Sequence, residues 1–324
     1  MEGVTEEVSA PPADAGSDFE LIDRFVDDCK LRGYSPETIR SHRSNLRTTA
    51  KFLHRISSSF PDVDKGILRE LLVYLKDERG VVHKTQKSYF SALSSFYKYL
   101  NYEEIHPVNP VPSFMEHYLS RYKNNSESGQ RKLISVEEMS MLINSIIDPR
   151  DKAILTLLAK TGIRRGELVA IDLDDINWEE QSIMLKPKAK RSNRTVYFDD
   201  ETSIILRRWL RARENYNVKH GYKALFVGEH GKRLKRHGVY HAVTKHAEMV
   251  GLHNPESKMM EDHFSPHCCR HWFTTHLRRN GLNREFLKEL RGDSRREAVD
   301  IYDHIDPKEL RRAYLAAIPR LGII

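Results

Sequence analysis

The chain has almost nothing with which to build a disulfide framework: only three of its 324 residues are cysteine, and two of these, Cys268 and Cys269, are neighbours. An odd count with an adjacent pair excludes a disulfide-stapled scaffold and suits a reducing compartment. Long apolar runs are missing too. Stretches such as AILTLLA, from Ala153, fall far short of the ~20 residues that cross a bilayer. The opening MEGVTEEVSAPPADAGSD has neither the basic stretch nor the apolar block of a secretory signal. These absences lead us to expect a soluble, cytoplasmic protein with no membrane partner. A glycine-rich phosphate loop and an internal repeat are also lacking, which argues against a nucleotide-driven motor.

Acidic residues are the minority charge. Lys+Arg is 53 against Asp+Glu 46, a net charge of +7 and a pI near 9.1. The first 17 residues carry Glu2, Glu6, Glu7 and Asp14 with no Lys or Arg, so the rest of the chain is four charges more basic than that net. Such an excess points to a polyanionic partner, most simply nucleic acid.

The length exceeds what one hydrophobic core usually holds, so two domains are expected. Residues 1–17, rich in Pro, Ala and Glu, read as a disordered acidic tail. Helical periodicity follows. Phe19, Ile22, Val26 and Cys29 share one face, and Ser35 with Pro36 reads as the N-cap and first position of a second helix. Two more helices, near 63–78 and 83–101, complete a helical domain spanning 18–120. HPVNPVP (106–112) is a break, and the polar stretch within 121–134 is a linker.

A second domain, 135–306, opens on Ser135 and Glu138, the two halves of a capping box. It is expected to be mainly α-helical with one small antiparallel β-sheet. The strands are SIMLKPK and RSNRTVYF, and helices are expected near 150–160, 203–214, 235–250, 265–280, 283–290 and 294–303. Residues 307–324 form a C-terminal helix and tail.

The segment FSPHCCRHWFTTHL, from Phe264, concentrates chemistry: three histidines, an arginine and two cysteines. A metal site, a thiol nucleophile and a phosphate grip are the three candidates. Pro266 suits the first turn of a helix, so His267 and Arg270 fall near its N-terminus, with His271 and Thr274 on the same side, a start suited to an anion. Adjacent cysteines diverge by about 100° on a helix and no CxxC pair completes a tetrahedral metal site. Cys268 and Cys269 therefore read as small core residues, His276 as a packing group, and no metal site is assigned.

Three segments in chain order, TGIRRGELVAIDLDDI at Thr161, SPHCCRHWFTTHLRRNG at Ser265 and DIYDHID at Asp300, resemble the signature regions of the tyrosine recombinase family, the phage integrase, Xer and Cre type. RGYSPETIRSHRSNLRTTAKFL, near the start, is similar to that family's helical core-binding domain. The resemblance runs from about residue 18 to residue 310. It implies a two-domain, C-shaped clamp on DNA, with Tyr302 as nucleophile and Arg164 and Arg270 on the phosphate. By the same resemblance His267 assists proton transfer and Lys188 protonates the departing 5′ oxygen. Lys190 is the second candidate for the acid because this turn runs one residue longer than the family's. Basic helix positions Arg40, Arg43, Lys84 and Lys87 are the expected DNA contacts.

The resemblance further implies double-stranded DNA with a specific target site as partner, a tetramer on paired sites that is monomeric or dimeric when free, no cofactor, and a C-terminal tail that contacts a neighbouring subunit. The residue types fit this chemistry. A phenol of pKa ~10 is a weak nucleophile at neutral pH and needs positive surroundings. Arginine forks match the non-bridging oxygens whose charge grows in the transition state.

One position departs from the pattern. ELRGDSR places Asp293 nine residues before Tyr302, where the family has histidine or tryptophan. A carboxylate repels phosphate unless it is paired or turned away. Asp293 is therefore expected to pair with a base such as Arg291, Arg295 or Arg296 and to orient the nucleophile helix. His271 is a further candidate for an orienting role. The alternatives are a type IB topoisomerase-like nicking and closing enzyme, marked by relaxation without strand exchange, and a non-catalytic DNA-binding protein that keeps the fold, marked by binding without a covalent adduct.

Overall fold

The N-cap signals and helical periodicities of the first 120 residues become a helical unit in the computed structural model, which describes residues 15–120, 133–187, 194–219, 221–257, 259–293 and 305–323. The chain divides into two units, Met1–Asn125 and Ser126–Ile324. The acidic tail expected over 1–17 and the polar stretch 121–132 lie outside what is described, apart from the start of the first helix.

In the first unit, α1 (Ala15–Leu31), α2 (Pro36–Arg55), α3 (Lys65–Val73) and α4 (His83–Tyr102) enclose one aromatic-rich core. Phe25, Leu53, Phe60, Phe90, Phe96 and Leu100 are all buried there. Ser35 caps α2 as expected, its Oγ accepting from the Thr38 N–H at 3.1 Å, and Pro36 needs no partner for a missing N–H. The stretch expected as a break is partly helical. α5 (Val111–Phe114) runs on into a π-helical turn, Met115–Leu119. Val111 and Phe114, three residues apart, are both buried, and the Phe114 ring stacks on Phe90 at 5.1 Å. Pro112 lies in the first turn of α5, where its missing N–H costs nothing, so it permits the helix that this burial stabilises.

The second unit is built around α7 (Pro149–Thr161), whose run Ala153–Ala159 is buried on every side. It packs against α6 (Val136–Asn144), α9 (Asp200–Arg213), α10 (Arg236–Met249) and α11 (Pro266–Arg279). The capping box at the start of α6 is present, with Glu138 N–H donating to Ser135 Oγ at 3.0 Å and Ser135 N–H to Glu138 at 2.7 Å. Short α8 (Arg165–Leu168) follows α7, and α12 (Arg284–Arg291) and α13 (Pro307–Ala317) complete the described helices. Both expected strands form, β2 (Ser182–Leu185) and β3 (Arg194–Tyr197), antiparallel with Ile183 opposite Val196. A two-residue strand absent from the sequence reading, β1 (Ile176–Asn177), adds to the other edge of β2. The helix expected near 294–303 lies outside the described residues. No helix among the described residues is long and apolar enough to cross a membrane.

The C-terminal segment packs on its own unit in the single chain. Leu310, Tyr314, Ala317, Ile318, Leu321 and Ile323 are buried. Glu201 accepts from the N–H groups of Leu321 and Ile323, and Ser140 Oγ donates to the Leu321 carbonyl at 2.6 Å. The side chain of Lys160 is completely enclosed. It donates to Asp199 at 2.6 Å, to the Pro319 carbonyl at 2.7 Å and to Glu201, so its three N–H groups have three acceptors.

Candidate active site

The site starts where α7 ends. Gly162 takes a left-handed conformation, φ +60°, which glycine adopts without strain, and a Cβ at this position would run into the Phe273 ring. The turn carries Arg164 to the start of α8. Its backbone N–H donates to Glu167 Oε2 at 2.8 Å, and its guanidinium donates to Glu167 Oε1 and to the Arg291 carbonyl, both at 3.3 Å.

Arg270 arrives from α11. Its side chain is only 4% exposed. Nη1 donates to the Gly162 carbonyl at 2.8 Å, while Nη2 donates to the Arg291 carbonyl at 2.8 Å and to Asp293 Oδ1 at 3.2 Å. The two arginines of the sequence motifs therefore converge on one acceptor, the last carbonyl of α12. Burial first, then repulsion from Arg164 and Arg291, pulls the Arg270 pKa down to about 9 against the opposing pull of Asp293 and Glu167. The side chain still carries its charge at neutral pH.

Asp293 pairs with Arg291, as expected from the sequence, Oδ2 lying 3.1 Å from Nε in an ion pair. It also contacts both motif arginines, with Oδ1 3.5 Å from Arg164 Nη2 in addition to the Arg270 bond. The other two bases considered, Arg295 and Arg296, lie outside the described residues, as do Tyr302, Lys188 and Lys190.

α11 sorts the residues of the opening motif by face. His267 and His271 are exposed and one turn apart, their rings perpendicular with centroids 4.7 Å apart. Cys268 and Cys269 are buried in the core beside Trp272. Burial and the neighbouring Cys268 hold the Cys269 thiol far above its ordinary range, so no reactive thiolate forms. All three cysteines are free. Ser265 stands at the N-cap without capping, its Oγ lying 3.6 Å from Cys268 Sγ. His276 is buried and 3.2 Å from the Ile134 carbonyl, and Trp272 Nε1 donates to Ser135, which seats α11 on the start of α6. No group of three or more His, Cys, Asp or Glu among the described residues is placed to hold a metal.

The sequence reading missed Arg194. Enclosed behind Arg164, it donates two bonds of 3.0 Å to the oxygens of Glu167 and one of 3.1 Å to the Leu290 carbonyl. Burial acts to raise the Glu167 pKa, but the hydrogen bonds and charge of Arg194, joined by those of Arg164, outweigh it and bring the carboxyl down to about 2. The available signal was strand alternation, which puts Arg194 on the same buried face as Val196. The DNA-contact candidates of the first unit lie on two adjacent helices. Arg40 and Arg43 are on α2, Lys84 and Lys87 on α4, and Asn45 donates to Ser88 between them at 3.3 Å. Arg43 also pairs with Asp23 at 3.0 Å.

A helical unit is followed by a mainly helical unit with a three-stranded sheet, in which paired arginines gather at a helix end. Residues 132–309 match the phage integrase family, and residues 21–107 match the phage integrase N-terminal SAM-like domain. The chain belongs to the phage integrase family, the tyrosine recombinases. It is 31% identical to the tyrosine recombinase XerC of Corynebacterium glutamicum over 96% of this chain and 98% of that one. It is 27% identical to XerD of Pseudomonas putida, over 94% and 98% of the two chains. In fold it is similar to the XerH site-specific recombinase in a post-cleavage complex with a palindromic difH substrate, with a TM-score of 0.69 at 19% identity over 97% and 98%. It is likewise similar to the Tn1549 transposon integrase in complex with transposon right end DNA, with a TM-score of 0.65 at 18% identity over 91% and 98%.

Proposed function

We propose that the protein is a site-specific DNA recombinase that cleaves and rejoins strands through a 3′-phosphotyrosine intermediate. The observation that carries this reading is the meeting of Arg164 and Arg270 at the Arg291 carbonyl, which puts two guanidinium groups side by side where a phosphodiester can take both. Tyr302 Oη attacks the phosphorus, the P–O5′ bond breaks, and the 5′ oxygen leaves with a proton from Lys188, or from Lys190 if the longer turn shifts the register. His267 assists removal of the phenolic proton, and His271, one turn on, helps to orient it. The arginines stabilise the charge that grows on the non-bridging oxygens. The free 5′ hydroxyl of a partner strand then reverses the step and releases the tyrosine. The ester keeps the bond energy, so the cycle closes without an external energy source.

Duplex DNA is the partner. Arg40, Arg43, Lys84 and Lys87 contact its phosphates, and the chain assembles as a tetramer on paired sites, in which the C-terminal segment leaves the seat it fills on its own unit in the single chain and contacts a neighbouring subunit. The place of action is the cytoplasm. The near-complete coverage by relatives named XerC and XerD supports a Xer-like role in dimer resolution over integration of a mobile element, and favours recombinase over a type IB topoisomerase-like enzyme.

The test uses nicked duplexes selected by binding from a random pool, incubated in EDTA with wild type and with Tyr302→Phe. A denaturant-resistant protein–DNA adduct with wild type alone is the expected result. No adduct from wild type on DNA that it binds would overturn the reading in favour of a binding protein.

A further inference from the structure

The carboxylate of Asp293 occupies the place the proposed function assigns to the scissile phosphate. Oδ1 lies 3.2 Å from Arg270 Nη2 and 3.5 Å from Arg164 Nη2, and Oδ2 lies 3.1 Å from Arg291 Nε. Two oxygens thus span three guanidinium groups, two of which are the pair that the proposed function gives to the phosphodiester. The chain fixes this carboxylate in place. Gly292 ends α12 in a left-handed conformation, φ +58°, its N–H donating to the Glu289 carbonyl at 3.0 Å, and the Asp293 N–H donates to the Lys288 carbonyl at 3.2 Å. Asp293 is 33% exposed, level with Arg164 at 31% and Arg291 at 32%, while Arg270 is enclosed at 4%, so the carboxylate lies at the open face of the seat together with two of its three partners.

Electrostatics give it a reason to be there. Arg164, Arg270 and Arg291 crowd like charges around one point, and the depressed Arg270 pKa records the cost of burial and of that crowding. An anion at the centre relieves it.

We propose that Asp293 is a built-in phosphate surrogate, which holds Arg164 and Arg270 in their catalytic arrangement while DNA is absent and must be displaced when the scissile phosphate arrives. This inference rests on the reading that the two arginines seat that phosphate. Asp293 is a positioning residue that competes with substrate. Apparent affinity is lowered by the fraction of molecules whose seat is already filled. The chain accordingly stays idle on weak, non-specific DNA, where too few other contacts compensate for displacing the carboxylate.

The experiment uses full-length protein with Tyr302→Phe, so that no covalent step intervenes, and compares Asp293 with Asp293→Asn and Asp293→Ser. Two quantities are read: the Kd for a cognate duplex, and the rise in Tm caused by inorganic phosphate. Both variants are expected to bind the duplex more tightly, on the order of tenfold, to melt lower without ligand, and to gain more from phosphate than the Asp293 protein. Equal or weaker DNA binding together with no larger phosphate response would overturn the proposal, since a purely structural Asp293 lowers Tm with no rescue by phosphate. An Arg164→Gln arm separates this from failure of the functional reading. If it leaves the phosphate response intact, the arginines do not seat phosphate and that reading falls. If it removes the response while the Asp293 variants show no gain, only the surrogate is wrong.

Discussion

Arg194 and Glu167 face each other across two parallel hydrogen bonds of 3.0 Å, and both side chains are almost completely buried. Through this pair β3 holds the short helix at whose start Arg164 sits, and through the Arg194 bond to Leu290 it holds the end of α12 as well. Breaking one partner of a buried pair leaves an uncompensated charge, whereas replacing both with apolar residues is often tolerated. Arg194→Met is therefore expected to lower the unfolding free energy by about 3 kcal/mol. The double variant Arg194→Met, Glu167→Met should recover most of that loss. Urea unfolding of the four proteins in the cycle measures the coupling, and a strictly additive result would show that the pair contributes little.

Acid should act through the same carboxyl. The Glu167 pKa is about 2 in the folded protein, below its ordinary value of 4.5. A depressed carboxyl pKa contributes stability that is fully present above the unfolded value and disappears as pH falls towards the folded one. The expected contribution is roughly 2–4 kcal/mol at pH 7, lost between about pH 4.5 and 2. Melting curves from pH 6 to pH 3 should thus fall more steeply for wild type than for Glu167→Gln. Parallel curves would remove Glu167 as a source of acid lability.

Gly292 is required twice over. Its φ of +58° is costly for other residues, and a Cβ there would meet the Arg194 guanidinium. Gly292→Ala is expected to cost about 1–3 kcal/mol of stability and to lower cleavage by displacing the Arg291 carbonyl that Arg164 and Arg270 share. The decisive reading is the cleavage rate at a temperature where the variant is fully folded. A wild-type rate there would mean that the seat tolerates the shift.

Lys160 should behave as the anchor of the C-terminal segment. Lys160→Met leaves Asp199 and Glu201 without their shared cation and the Pro319 carbonyl without a donor. A loss of about 3 kcal/mol is expected, with earlier proteolysis after residue 317 in the folded state. Unchanged stability and unchanged protection of the tail would assign the seating of this segment to Leu321 and Ile323 alone.

On DNA, Arg40→Ala and Lys84→Ala should weaken binding to all sequences alike and lower the slope of log K against log salt by about 1 for each phosphate no longer neutralised. A change in site preference with an unchanged slope would instead place these side chains on base edges.

Much of this was legible in the sequence because its signals are local. Ser35 and Ser135 announce the helices that follow them, Pro266 and the spacing of His267, Cys268, Arg270 and His271 sort the faces of α11, and the three motif segments name the arginines. Helix caps and periodicities act over three or four residues, so the sequence by itself determined the longer helices, strands β2 and β3, the inert cysteines and the family. Tertiary structure alone decided the rest. Val111 and Phe114 form a helix because Phe90 gives them a surface to bury against. Arg194 reaches Glu167, and Arg270 reaches both Arg291 and Asp293, only once β3, α8, α11 and α12 have packed around one point. These are pairings between distant parts of the chain, and it is low-dielectric burial, which no local pattern encodes, that makes each of them necessary.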